Sequence, residues 1–163
     1  MHRAMLNYTA CFALSLSMTY AMGPEMIGKP APAFTLKTVD GQSSLSLADL
    51  RGQVVIIDFW ATWCAPCRHS LPQLATFEAG LHGVKVIAIN IDDERENAIA
   101  FLKDNRVRLT SLYDEAKHVV GSYDVPAMPS ALVIDKRGVV RFVHGGYTES
   151  DIPAIMNEAR SLL

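Results

Sequence analysis

Apolar residues along the chain fall into stretches whose period changes several times, and each change marks an element. Phe34-Thr35-Leu36-Lys37-Thr38-Val39 alternates with period two and runs into Asp40-Gly41, a strong turn signal, so a hairpin is predicted to open the fold. Ser46 is placed to cap a short turn over 47–50, which Gly52 ends. Val54-Val55-Ile56-Ile57-Asp58-Phe59-Trp60 is a nearly unbroken run of β-formers, the pattern of a central strand covered on both faces. From about Cys64 to His82, Leu71, Leu74, Phe77 and Leu81 recur at helical spacing, which predicts a helix that Pro72 kinks and Gly83 stops. A second buried strand is predicted over 84–91. Asp92 is the expected cap of a helix over 93–105 with Ile99 and Leu102 facing inward. Residues 109–113 read as a short extended piece and 115–123 as a short helix. Two runs, 130–135 and 139–143, joined at Lys136-Arg137-Gly138, predict an antiparallel hairpin. The last helix, about 150–163, puts Ile152, Ile155, Met156, Ala159, Leu162 and Leu163 on one stripe. Crossovers in the first part and a hairpin in the second imply an α/β fold, a mixed central β-sheet flanked by helices with an N-terminal β-hairpin extension.

The first 21 residues stand apart from this pattern. One basic residue, Arg3, precedes the apolar run Ala10-Cys11-Phe12-Ala13-Leu14-Ser15-Leu16-Ser17-Met18, and small residues at Thr19 and Ala21 suit cleavage after Ala21. The run is shorter than the roughly 20 residues of a membrane-spanning helix. Residues 1–21 are therefore expected to be a signal peptide and 22–163 a single exported domain, periplasmic or secreted; the competing reading is an uncleaved anchor, the one route to membrane contact. The segment before Cys11 lacks the apolar run that should precede a lipidated cysteine. With 15 basic and 17 acidic side chains dispersed along the chain and a net charge of −2, no basic stripe is available to follow a phosphate backbone, which excludes nucleic acid as a partner.

Cleavage would leave two cysteines, Cys64 and Cys67, spaced Cys-Ala-Pro-Cys. At the end of a buried strand and the start of a helix, free backbone N–H groups and the helix dipole favour a negative sulfur at Cys64. Lowering a thiol from about 8.5 to about 7 raises its thiolate fraction at neutral pH more than tenfold. Cys67, further into the helix, is expected to be buried and protonated, and close enough to resolve a mixed disulfide on Cys64. Two plainer readings compete: a zinc site and an inert structural disulfide. Zinc needs four ligands, and none of His2, His69, His82, His118 and His144 repeats the cysteine spacing; a two-residue gap closes too small a loop to stabilise much. Neither a metal nor an organic cofactor is called for. Asp58 is a carboxylate inside an apolar strand, where burial raises the pKa and keeps the group protonated, unless it lies at a wet sheet edge.

The stretch Asp58-Phe59-Trp60-Ala61-Thr62-Trp63-Cys64-Ala65-Pro66-Cys67-Arg68 resembles the thioredoxin active site. The wider match, over about residues 24–163, is to the exported TlpA/ResA-like thioredoxin branch of the redoxin superfamily. It includes Gly28-Lys29-Pro30-Ala31-Pro32-Ala33-Phe34-Thr35-Leu36, Asp40-Gly41, Leu50-Arg51-Gly52-Gln53-Val54-Val55, Tyr123-Asp124-Val125-Pro126-Ala127-Met128-Pro129-Ser130, Leu132-Val133-Ile134-Asp135 and Gly138. The resemblance implies a thioredoxin fold and a thiol–disulfide oxidoreductase acting on exported protein thiols and disulfides. It makes Pro129 a cis-proline facing the cysteines, where pattern alone would favour a trans turn proline, and lets the backbone of Met128 pair with a bound substrate strand. Trp63, Ala65 and Pro66 join Met128 as the expected substrate-binding surface, Trp63 covering the sulfurs and Trp60 lying in the core. Asp58 takes the part of the buried aspartate that exchanges a proton with Cys67. His69 reads as a solvated helix-face residue.

The chain departs from that branch at Ser70, where many relatives carry glutamate. This weakens the implied link to cytochrome c maturation and moves the site toward a general thioredoxin. Ala-Pro between the cysteines resembles the Gly-Pro of reducing thioredoxins, which points to the reducing direction and hence to a membrane electron donor that re-reduces the protein. Two other functions compete with this one. A thiol peroxidase needs proline seven and threonine or serine three residues before its reactive cysteine, where Ile57 and Ala61 stand. A Cu(I)-delivery protein would need His144 or His118 beside the thiolates, and its usual motif has three residues between the cysteines.

Overall fold

A computed structural model describes residues 24–163; the expected signal peptide, its cleavage point and Cys11 lie outside them. The elements in chain order are β1 (Thr35–Thr38), β2 (Ser44–Ser46), β3 (Val54–Trp60), α1 (Cys67–Ala79), β4 (Val84–Asn90), α2 (Arg95–Asp104), β5 (Thr110–Tyr113), α3 (His118–Ser122), β6 (Ser130–Ile134), β7 (Val140–Gly145) and α4 (Asp151–Ser161). The seven strands form one sheet in the order β2-β1-β5-β4-β3-β6-β7. β3, β4 and β5 are parallel to one another, and the pairs β1–β2, β1–β5, β3–β6 and β6–β7 are antiparallel. This is the expected mixed sheet, with the apolar run of β3 at its centre and every residue of that strand buried.

The two faces of β3 divide the core. Val55, Ile57 and Phe59 point into a cluster with Leu47, Leu50, Val119 of α3 and Tyr123. Val54 and Ile56 point the other way, onto Leu74 and Phe77 of α1 and Ile152, Ile155 and Ala159 of α4. Trp60, on that second face, packs with Cys64, Cys67, Leu71 and Phe101. Asp58 shares its parity and so faces α1 and α4. On the outer flank of β7 the leader lies alongside: Gly28 N–H donates to Val140 O and Val140 N–H to Lys29 O, and Pro30 bridges Val139.

Several local expectations are corrected. α1 begins at Cys67, with Pro66 as its N-cap, and ends at Ala79 with Gly80 as its C-cap. Gly83 instead sits at φ +86° in the turn that launches β4, its carbonyl bound by Val54 N–H. Asp92 caps no helix: α2 starts at Arg95 after Glu94, because the Asp92 carboxylate is engaged by Thr62 and Asn90. The buried face of α2 is Ala98 and Phe101, with Leu102 half-buried against the same cluster as expected; Ile99 is 41% exposed instead of facing inward, which lets the large aromatic ring fill the core. Leu163 falls beyond α4 and is exposed. The cap of 47–50 is as expected, Ser46 and Asp49 forming a reciprocal capping box.

Candidate active site

β3 delivers the chain to the end of the sheet at Trp60, and residues 61–66 turn it back into α1. The turn is pinned from β4: the Asp92 carboxylate accepts Thr62 N–H at 3.0 Å and Thr62 Oγ at 2.9 Å, and Asn90 Nδ2 donates to it at 2.8 Å. Asn90 and Asp92 are buried. Hydrogen bonds to a buried carboxylate are among the stronger kind, so the segment entering the cysteine pair is held rigidly. Sequence reading missed this brace; two polar residues ending a buried strand were its only signal.

Cys64 and Cys67 form a disulfide with Cα atoms 5.4 Å apart. Cys67 N–H donates to Cys64 Sγ at 3.3 Å, so Cys64 has a backbone donor aimed at the sulfur that must carry charge once the bond is reduced. Cys64 is 4% exposed and Cys67 fully buried. Ala65 is exposed, and the Trp63 ring stands 65% exposed, so any cover it gives the sulfurs is partial. The two tryptophans separate as read from sequence in one respect: Trp60 is wholly buried against Phe101, ring centroids 5.2 Å apart.

The Met128–Pro129 bond is cis. Ser130 Oγ donates to Ala127 O at 2.8 Å, and Gly146 N–H donates to Pro129 O at 2.9 Å, which fixes this loop between β6 and the end of β7. Met128 is half-buried and packs on the cluster that holds both cysteines. Asp58 is 1% exposed and its Oδ2 has no hydrogen-bond partner. Burial alone pushes its carboxyl up to about 8. Its register partners are Ala88 on β4 and Ala131 on β6, and it lines a small cavity with Ser70 of α1 and Pro129. Asp58 is therefore under the first turn of α1, the turn that carries Cys67. The Ser70 hydroxyl is buried and donates to Cys67 O at 3.4 Å.

Of the histidines that copper delivery would need, each lies on an element other than the turn that carries the disulfide. His144 on β7 is bound by Glu158 of α4, 2.7 Å away, and His118 opens α3. No group of three or more His, Cys, Asp or Glu among the described residues is arranged to hold a metal ion. Likewise, no described helix is long and apolar enough to cross a membrane.

Comparison with known proteins bears on this geometry. The family model described as the AhpC/TSA family matches residues 27–143. The thiol-disulfide oxidoreductase ResA of Bacillus subtilis is 34% identical over 142 residues, covering 83% of this chain and 78% of its own. The thiol:disulfide interchange protein DsbE of Pseudomonas fluorescens is 38% identical over 119 residues, covering 72% of this chain and 65% of its own. A crystal structure reported as a thiol:disulfide interchange protein DsbE from Chlorobium tepidum superposes with a TM-score of 0.78 at 33% identity, over 83% of this chain and 96% of that one. That likeness makes the sheet and its helices a thioredoxin fold, and the named relatives share the chemistry that a Cys-Ala-Pro-Cys pair at this turn performs. The chain thus belongs to the AhpC/TSA family and is a thiol–disulfide oxidoreductase of protein thiols.

Proposed function

We propose that the protein is an exported reductase of protein disulfides, with Cys64 as the attacking and Cys67 as the resolving sulfur. The observation that carries this reading is the asymmetry of the pair. Cys64 has a backbone N–H on its sulfur, whereas Cys67 is buried in the first turn of α1 above a carboxyl with an unpartnered oxygen. The Cys64 thiolate attacks a substrate disulfide and expels one substrate thiolate. Asp58, which burial keeps protonated up to about pH 8, gives up that proton and then takes the proton of Cys67, whose thiolate attacks Cys64 and releases the second substrate sulfur, leaving the protein oxidised. Pro129, which has no N–H of its own to offer a sulfur, and the Met128 backbone beside it receive the substrate strand, with Trp63, Ala65 and Pro66 forming the opposite rim.

Repeated turnover in an oxidising compartment requires a donor of two electrons, which we assign to a membrane protein. The substrates are exported proteins with a disulfide to open; the paired cysteines of an apocytochrome c are one member of that class. Ser70 in place of glutamate favours a broader range. Equilibration of the mature protein with glutathione and dithiothreitol buffers tests the direction. A potential near or below about −230 mV is expected, and a value near about −120 mV would make the protein an oxidant instead.

A further inference from the structure

In the mechanism above Asp58 gains and loses a proton at every turnover, yet the strand neighbours beside it are both alanines. A buried acid that exchanges its proton needs a chain of proton-bearing groups leading to water. One row of the sheet supplies it. Ala131, the partner of Asp58 on β6, pairs in turn with His144 on β7. Asp58, Ala131 and His144 therefore stand in line on the face covered by α1 and α4, and the small side chain between the two long ones leaves the space above it open. Adjacent strands lie about 4.8 Å apart, so the Cα atoms of Asp58 and His144 are about 10 Å apart, a gap that two side chains and one water span.

The space is there. A cavity of about 10 Å³ has Asp58, Ser70, His144, Tyr147 and Asp151 among its lining, the remainder being apolar, and it is at the lower limit for holding a single water. On its outer side His144 meets two carboxylates spaced seven residues apart, and so on one face of α4. Nε2 is 2.7 Å from Glu158 Oε2, and Nδ1 is 3.9 Å from Asp151 Oδ1. The other Asp151 oxygen is taken by Thr148 N–H. The His144 and Glu158 side chains are partly exposed, which brings the path to solvent.

We infer that His144 is the relay through which Asp58 exchanges its proton with solvent, by way of one water over Ala131. The inference rests on Asp58 serving as the base for Cys67. When Cys67 gives Asp58 its proton, the Cys67 thiolate forms the bond to Cys64 and the bond from Cys64 to substrate breaks. The substrate leaves as a thiolate that is protonated by solvent. The proton that Asp58 holds beforehand passes to the water and on to Nδ1 of His144, while Nε2–H yields one to Glu158 and the bulk, and the emptied carboxylate then receives the Cys67 proton and keeps it in the oxidised protein. No electrons move along this path, and the reverse sequence returns the proton during re-reduction. Imidazole suits the task because it takes up and releases protons near neutral pH. The groups facing the path are Ser70 from α1, Asp151 and Glu158 from α4 and Tyr147 from the loop after β7, so no lysine or arginine lines it.

The test uses reduced mature protein and 5,5′-dithiobis(2-nitrobenzoate), which releases one coloured thiolate when Cys64 attacks and a second when Cys67 resolves the mixed disulfide. In His144→Ala and in His144→Gln, which can still bond Glu158, the first release is expected at the parent rate. The second is expected to slow by about tenfold or more at neutral pH. Millimolar imidazole restores it in His144→Ala, whereas pyrazole, a ring of the same size but a far weaker base, does not. A second release at the parent rate in either variant overturns the relay, as does a loss that imidazole leaves unrepaired or that pyrazole repairs equally. Asp58→Asn in the same assay separates the two readings. If it does not slow the second release, the assignment of Asp58 as base fails and the relay with it; if it does while the His144 variants do not, the relay alone fails.

Discussion

Asp58 is the residue where burial and chemistry pull hardest against each other. The unfolded chain ionises it near pH 3.8, and the fold holds the proton up to about 8. Below about pH 4 both states are protonated and burial of the carboxyl carries no ionisation cost. Between there and about pH 8 only the unfolded chain gives up the proton, so the oxidised protein loses stability as pH rises, by about 1.4 kcal/mol per unit and about 6 kcal/mol at most. Asp58→Asn removes the titration. Urea unfolding of the two oxidised proteins should give a stability difference near zero at pH 4 that grows to several kcal/mol in favour of the variant at pH 8. Parallel curves would show that Asp58 is ionised in the fold. The sequence made Asp58 legible because one acid interrupts five apolar neighbours in the strand. Asp92 misled for the opposite reason: an acid just before a helical stretch looks like a cap, and only the return of residues 61–63 across the sheet end shows that the carboxylate is engaged elsewhere.

At the scale of elements, β3 was read to the residue because burial on both faces leaves an unmistakable apolar run. Hairpins were as plain, since their turns need glycine or aspartate. Short helices were harder. In α2 both Ile99–Leu102 and Ala98–Phe101 keep helical spacing, and the choice depends on which fills the pocket beside Trp60. Phe101→Ala is therefore expected to cost about 3–5 kcal/mol and Ile99→Ala less than about 0.5 kcal/mol, read from denaturant midpoints. Equal effects would return the helix to the phase its sequence suggested. The cis bond before Pro129 left no local trace in the pattern; only likeness to other sequences pointed to it. The pairing of His144 with Asp151 and Glu158 was hidden as well. Their seven-residue spacing shows a common helix face, but not which strand that face meets.

At the scale of the molecule, the order of strands had to come from the structure. The sequence implied crossovers and a hairpin, yet nothing in it said that β1 would lie against β5 or that β6 would cross to the far side of β3. That crossing is what brings Pro129 and His144, more than sixty residues downstream, into the lining of one cavity beside Asp58. The same sheet has an outer margin, and there the stretch from Gly28 to Ala31 acts as a selvedge: it takes up both backbone groups of Val140 and the carbonyl of Gly138 that a seventh strand would otherwise present. An uncovered margin is a template for other chains. Removing residues up to 31 is expected to leave thiol chemistry intact at first but to promote self-association, visible as concentration-dependent light scattering, while a chain starting at Met22 stays dispersed. The stretch before the first strand is thus a guard against fibrous assembly, and a chain trimmed past it loses that guard.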